Sequence, residues 1–274
     1  MIAFSSPFDA SAVDFLETLD VPAYKIASFE NTDHPLLKKV AKTGKPVIMS
    51  TGVANLAEID EAVRVLRENG CKELILLKCT STYPATPDTC NLRTIPHLAN
   101  MFEDTLVGLS DHTMGISIPL VAISLGACVI EKHFTLKRSD GGVDSAFSLE
   151  PQELKSLVIE SERAFQALGK VKYGIQKIET NSRKFKRSVY VVKDVMPGEI
   201  LTEENLRVIR PGNGLEPKYF ETIVGKKAST HLKAGTPMTW QLRLAFYMSG
   251  TPCRAFHSWH YDTRPPNDAQ PYSC

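Results

Sequence analysis

A (β/α)8 barrel with about six of its eight units present, followed by a small β-rich module, is the α/β fold class that this sequence predicts. Apolar runs end at Phe4, Ile26, Met49, Leu77, Leu109 and Ile130, separated by helical patterns such as DASAVDFLETL and LAEIDEAVRVLRENG. Continuous apolar strands alternating with amphipathic helices imply a parallel sheet covered by helices. Each run also ends in small polar or charged residues: Ser5 and Ser6, Lys25 and Ser28, Ser50 and Thr51, Thr80 to Tyr83, Ser110 to His112, Lys132 and His133. Polar groups collected at the carboxyl ends of strands are what such a barrel offers a substrate. The sequence opens directly on a strand, so two further units are expected ahead of it.

The barrel part is expected over residues 1–170. Its last element, EPQELKSLVIESERAFQALG, begins with Pro after an acidic residue and reads as a closing amphipathic helix. Residues 171–187 are polar and basic and read as a linker, with the basic run ending in SRKFKR as a solvated connector. Residues 188–242 carry short β-rich runs broken by PGE, RPGNG and KAGTP turns, a compact module. Residues 243–274 show neither periodicity and look like out-of-frame or vector-derived sequence, so His257 and His260 there are set aside.

Composition excludes several classes. With 32 Lys and Arg against 31 Asp and Glu, the net charge of +1 points to no nucleic acid and no anionic membrane. No apolar stretch is long enough to span a bilayer and the N-terminus lacks a signal-peptide pattern, so the expected location is the cytoplasm. Six cysteines without CxxC spacing, with Cys79 and Cys128 inside apparent core strands, read as buried free thiols.

The chemistry concentrates between Val107 and Leu136. His112 and His133 each follow a short apolar run, and a helical pattern from Ile116 to Leu125 lies between. Strand, helix, strand with an imidazole at each carboxyl end places both on the face where parallel α/β proteins build sites. One reading is a metal held by two imidazole nitrogens; the other is two histidines that only satisfy backbone groups at strand ends.

FSSPFD (Phe4 to Asp9), KIASFE (Lys25 to Glu30), GKPVIMSTG (Gly44 to Gly52), CTSTYPA (Cys79 to Ala85), GLSDHTMG (Gly108 to Gly115) and IEKHFT (Ile130 to Thr135) resemble the sialic acid synthase family, and RPGNGLEPKY with GKKA resembles its C-terminal SAF, or antifreeze-like, domain. Phe29, Met114 and the GGVDSAFS segment look more like the pseudaminic acid synthases than the N-acetylneuraminate synthases. The resemblance implies condensation of phosphoenolpyruvate with an open-chain N-acetylated amino sugar, with release of phosphate. It implies a divalent metal, manganese or magnesium, on His112 and His133. Lys25, Ser28, Ser50 and Ser110, with Ser6, match the phosphate cradle; Ser81 and Tyr83 border that site; Glu30 and Asp144 match positions at sugar or catalytic water. Glu30 reads equally as an N-cap for the next helix, and Lys132 as a ligand contact or a supporting residue. Arg210 matches an arginine that reaches the partner subunit's site, which implies a domain-swapped homodimer. The family's upstream strands carry a glutamate and a second lysine that this sequence lacks, so the chain as given is expected to be weak or inactive. Synthesis of N-acetylneuraminate or legionaminic acid, and a fragment that only binds sugar or a partner, are the alternatives.

Overall fold

A computed structural model describes residues 2–240; the expectations for residues 243–274 lie outside them. The chain divides into two units between Val171 and Lys172.

In the first unit, α1 (Ala10–Thr18) starts where the Asp9 carboxylate accepts from the Ala12 N–H at 2.8 Å. It leads to β1 (Tyr24–Ile26), whose Tyr24 hydroxyl donates to Glu17 of α1 at 2.7 Å. Then come α2 (His34–Ala41), β2 (Val47–Ser50), α3 (Leu56–Glu68), β3 (Leu74–Cys79), α4 (Thr94–Met101), β4 (Leu106–Asp111), α5 (Ser117–Ser124), β5 (Ile130–Lys132) and α6 (Pro151–Leu168). Helix α3 shows why the pattern was legible. Asn55 and Glu58 form a reciprocal capping box, and Ile59, Ala62, Val63 and Leu66 repeat at helical spacing on its buried side.

The five strands pair in parallel in chain order, a partly formed (β/α)8 barrel. One expected strand is not formed. The run ending at Phe4 contributes only a parallel bridge from Ser5 to Tyr24, and Phe4 stays exposed. Among the described residues it has a neighbour on one side only, too little to hold an extended segment in a ladder. Side chains alternate along each strand. Tyr24, Ile26, Val47, Met49, Leu74 and Leu76 enter the core between sheet and helices, while Lys25, Ser50, Cys79 and Ser110 face the other way. That alternation creates the site. Cys79 is buried as expected, but Cys128, two residues ahead of β5 and not within it, is exposed.

In the second unit a 3-10 helix over Lys177–Phe185 occupies part of the expected linker. β6 (Ser188–Val191) pairs antiparallel with β7 (Leu206–Ile209), and α7 (Phe220–Ile223) follows. Val189, Val191, Leu201, Leu206, Leu232 and Met238 fill its core. Gly214 of RPGNG is required by close approach: a Cβ there would lie 2.8 Å from the Val189 carbonyl and 2.9 Å from that of Met238. Among the described residues no helix is long and apolar enough to cross a membrane.

Candidate active site

The carboxyl ends of β1 to β5 bring most of the sequence-predicted residues onto one face. Lys25 is buried, and its ammonium donates to Ser50 Oγ at 2.8 Å and to the Ile26 carbonyl at 3.1 Å, with Glu131 at 3.6 Å. Burial lowers its pKa, and the charge of Glu131 offsets part of that. Ser110 donates to the other Glu131 oxygen at 2.7 Å. Ser28 accepts from the Gly52 N–H at 3.2 Å and donates to Cys79 Sγ at 3.4 Å, with Ser81 Oγ 3.6 Å from the same sulfur. Ser6 is half-buried beside Ser5, whose carbonyl accepts from the Lys25 N–H at 3.2 Å.

Four hydroxyls and an ammonium thus line a polar wall suited to an anion. Gly52 makes room for it, since a Cβ there would sit 2.1 Å from Ser81 Oγ and 2.6 Å from Ser28 Oγ. Gly52→Ala is therefore expected to cost about 1–3 kcal/mol through overpacking and to turn both hydroxyls away. Urea denaturation and binding of inorganic phosphate measure the two effects; an unchanged phosphate affinity would remove Ser28 and Ser81 from the cradle.

The two imidazoles are neighbours, with ring centroids 5.2 Å apart. His112 is buried, and its Nδ1–H donates to the Thr80 carbonyl at 2.9 Å in the tautomer that leaves Nε2 a lone pair. His133 Nδ1 lies 3.5 Å from Asp144 Oδ2. Tyr83 stands over both rings, 4.2 Å from His112 and 5.9 Å from His133, and Phe147 of the GGVDSAFS segment packs on His133 at 5.1 Å. Burial pushes the His133 pKa down, and the charge of His112 pushes it further. For His112 burial acts downward as well, but the hydrogen bonds to Cys79 and Thr80 outweigh it and hold the pKa above the ordinary value. The Cys79 thiol shows the converse: burial raises it, and hydrogen bonds from His112, Ser28 and Ser81 bring it down to about 7.

The pair fits a metal as two nitrogen donors. Among the described residues no group of three or more His, Cys, Asp or Glu could hold an ion, so the donor set suits an open centre completed by water and substrate, not a closed structural one.

Glu30 ends a 3-10 turn over Ser28–Glu30, and its Oε2 is buried without a partner among the described residues. It is not the N-cap of α2; Asp33 is, accepting from the Leu36 N–H at 3.1 Å. Lys132 is a supporting residue. Its ammonium donates to Asp111 Oδ2 at 2.6 Å and also to the Thr113 carbonyl, and both charged side chains are almost fully buried. Arg210 is exposed in the second unit.

Sequence reading missed Glu131 as the link between Ser110 and Lys25, Cys79 as a polar participant, and Asn31, whose amide donates to the carbonyls of Ser50 and Gly52. Register was the signal for Glu131. Ser110 pairs with Glu131 and Asp111 with Lys132, so alternate residues share a face with the histidines.

Residues 1–173 match the NeuB family and residues 186–242 the SAF domain. A pseudaminic acid synthase of Helicobacter pylori is 43% identical over 237 residues, covering 86% of this chain and 69% of the relative. An N,N'-diacetyllegionaminic acid synthase of Campylobacter jejuni is 45% identical over 239 residues, covering 85% and 70%. The crystal structure of the spore coat polysaccharide biosynthesis protein SpsE from Bacillus subtilis aligns with a TM-score of 0.60 at 34% identity, covering 88% of this chain and 72% of that one. Sequence and architecture agree: the chain belongs to the NeuB family of sialic-acid-type synthases and carries a SAF domain.

Proposed function

We propose that this chain condenses phosphoenolpyruvate with an open-chain N-acetylated amino sugar, the pseudaminic acid precursor, and releases phosphate. The observation that carries the reading is the anion cradle of Lys25, Ser28, Ser50 and Ser110 beside the His112 and His133 pair on one face. Lys25 and the hydroxyls hold the phosphate of phosphoenolpyruvate and orient its carbon 3 toward the aldehyde. A C–C bond forms there, water adds to carbon 2, and the C–O bond to phosphate breaks, so that the cradle binds the leaving group through the whole sequence. His112 and His133 would hold a manganese or magnesium ion, which when bound supplies Lewis acidity to the aldehyde oxygen. Glu30 takes a proton from the attacking water, a role supported by its one buried, unpartnered oxygen. Asp144 orients His133, Tyr83 covers both imidazoles, and Ser6 and Ser81 complete the rim. Arg210 reaches the sugar in a second copy's site, which makes the working species a homodimer.

Phosphate release from phosphoenolpyruvate with manganese tests the reading. It is run with the diacetamido-trideoxy-altrose precursor, its legionaminic counterpart and N-acetylmannosamine, on the chain as given and on one preceded by a family-like N-terminal segment. Turnover of the altrose derivative is expected in the extended chain. Turnover of either other sugar instead would overturn the choice of substrate, and silence with all three would overturn catalysis.

The raised His112 pKa sets a pH dependence. Metal and proton compete for the same imidazole, so manganese affinity is expected to fall as pH drops through that pKa and to level off above it, with about one proton released on binding. Calorimetry in buffers of differing ionisation enthalpy counts that proton; pH-independent binding would contradict the assignment of His112.

A further inference from the structure

Behind the cradle, on the helix-facing side of β3, lies a cleft of about 860 Å3 that the proposed reaction does not use. Lys78 continues the face of Leu74 and Leu76, but where those enter the core its side chain lines the cleft. Its ammonium donates to the Cys79 carbonyl and to Thr80 Oγ1, both at 2.9 Å. An ammonium has three N–H donors, so one is left over, and among the described residues no carboxylate pairs with it. Burial lowers the Lys78 pKa, and the neighbouring Cys79 and Cys90 sulfurs offset only part of that. Arg93 and His97, at the start of α4, line the same cleft, and Asp88 is its one acidic wall residue. Val53, with φ of 52°, is held with its apolar side chain 70% exposed at the rim. A β-branched residue rarely adopts that conformation.

We propose that this cleft binds a small organic polyanion, a phosphorylated or multiply carboxylated metabolite, with its anionic end on Lys78 and Arg93 and its body against Val53. Cations left unpaired in a concave wall concentrate potential there, and ammonium and guanidinium groups both bind phosphate and carboxylate. The place of the cleft also couples it to the site. Lys78 holds the Thr80 hydroxyl while the Thr80 carbonyl accepts from His112. An anion that draws Lys78 away from Thr80 loosens the group that orients His112. This coupling rests on the functional reading of His112, but the binding does not.

The test is calorimetric titration of the full chain with citrate and with inorganic pyrophosphate at constant ionic strength. Two sites per chain are expected, one in the cradle and one in the cleft. Lys25→Met removes the first and Arg93→Gln the second, each leaving one, and in the Lys25→Met background Lys78→Met weakens the remainder about tenfold or more. Arg93 is exposed, so its variant keeps the fold even where Lys25→Met does not. A single site that vanishes with Lys25→Met, or two sites indifferent to Arg93→Gln, would overturn the proposal. For the coupling, citrate is expected to shift the His112 ring-proton NMR signal in Lys25→Met and to leave it in place once Arg93→Gln is added. Binding without that shift retains the cleft and overturns the coupling. None of these readouts is turnover, so a failure of the proposed catalysis and a failure of this site are told apart.

Discussion

Lys132→Met is expected to destabilise the first unit by about 3–5 kcal/mol, because it strands a buried carboxylate without its counter-ion. The Lys132 and Asp111 side chains are 4% and 1% exposed and 2.6 Å apart. Asp111 also accepts from the Thr113 N–H and Thr113 Oγ1, both at 3.0 Å. Taking two charges out of water is costly, and only mutual attraction and a full set of hydrogen bonds offset it. Removing one partner leaves the cost and deletes the offset. Replacing both, in Lys132→Met with Asp111→Leu, is expected to cost less than the single change, since no bare charge remains. Urea denaturation of the three proteins decides the matter. A single variant no less stable than the double would mean that the pair is not the lock between β4 and β5. The functional consequence follows from register: Asp111 and Lys132 each precede one of the two histidines, so the lock also sets the spacing of the imidazoles.

In the N-terminally extended chain, alanine at His133 is expected to lower phosphate release by about a thousandfold or more, on the order of 4 kcal/mol of transition-state stabilisation, and His112→Ala by at least as much. A site with two protein donors keeps one after either change, too few to hold an ion. Asp144→Asn preserves shape but removes the charge 3.5 Å from His133 Nδ1, and a loss of about 10–100-fold is expected, as for other groups that orient a ligating histidine. Manganese titration followed by electron paramagnetic resonance separates this from a folding defect. If His133→Ala bound manganese as tightly as the parent, the imidazole would belong to the substrate pocket and not to a metal.

How much was legible in the sequence can be argued residue by residue. The βα alternation, the helix over DASAVDFLETL, and the strand-end placement of Lys25, Ser50, Ser110, His112 and His133 follow from local patterning. Apolar runs and their polar punctuation are properties of a few consecutive residues, so they survive reading one residue at a time. The strand expected at Phe4 failed because pairing needs a neighbour, and a neighbour is not a local property. Glu30 was ambiguous between cap and site because both need a carboxylate after a strand, and only the fold shows Asp33 in the capping role.

By itself, the sequence determined the parallel α/β architecture, a small β-rich module after it and which strand ends carry ionisable groups, because periodicity and composition act over one turn or one strand. The tertiary structure alone decided which of those groups meet. Strand register joins Glu131 to Ser110 and Lys25, sends Lys132 to Asp111, and turns Lys78 away from the site into a cleft of its own. Register across strands pairs residues 21 or more positions apart, as in Ser110 and Glu131, and a one-residue slip would put every one of these side chains on the opposite face.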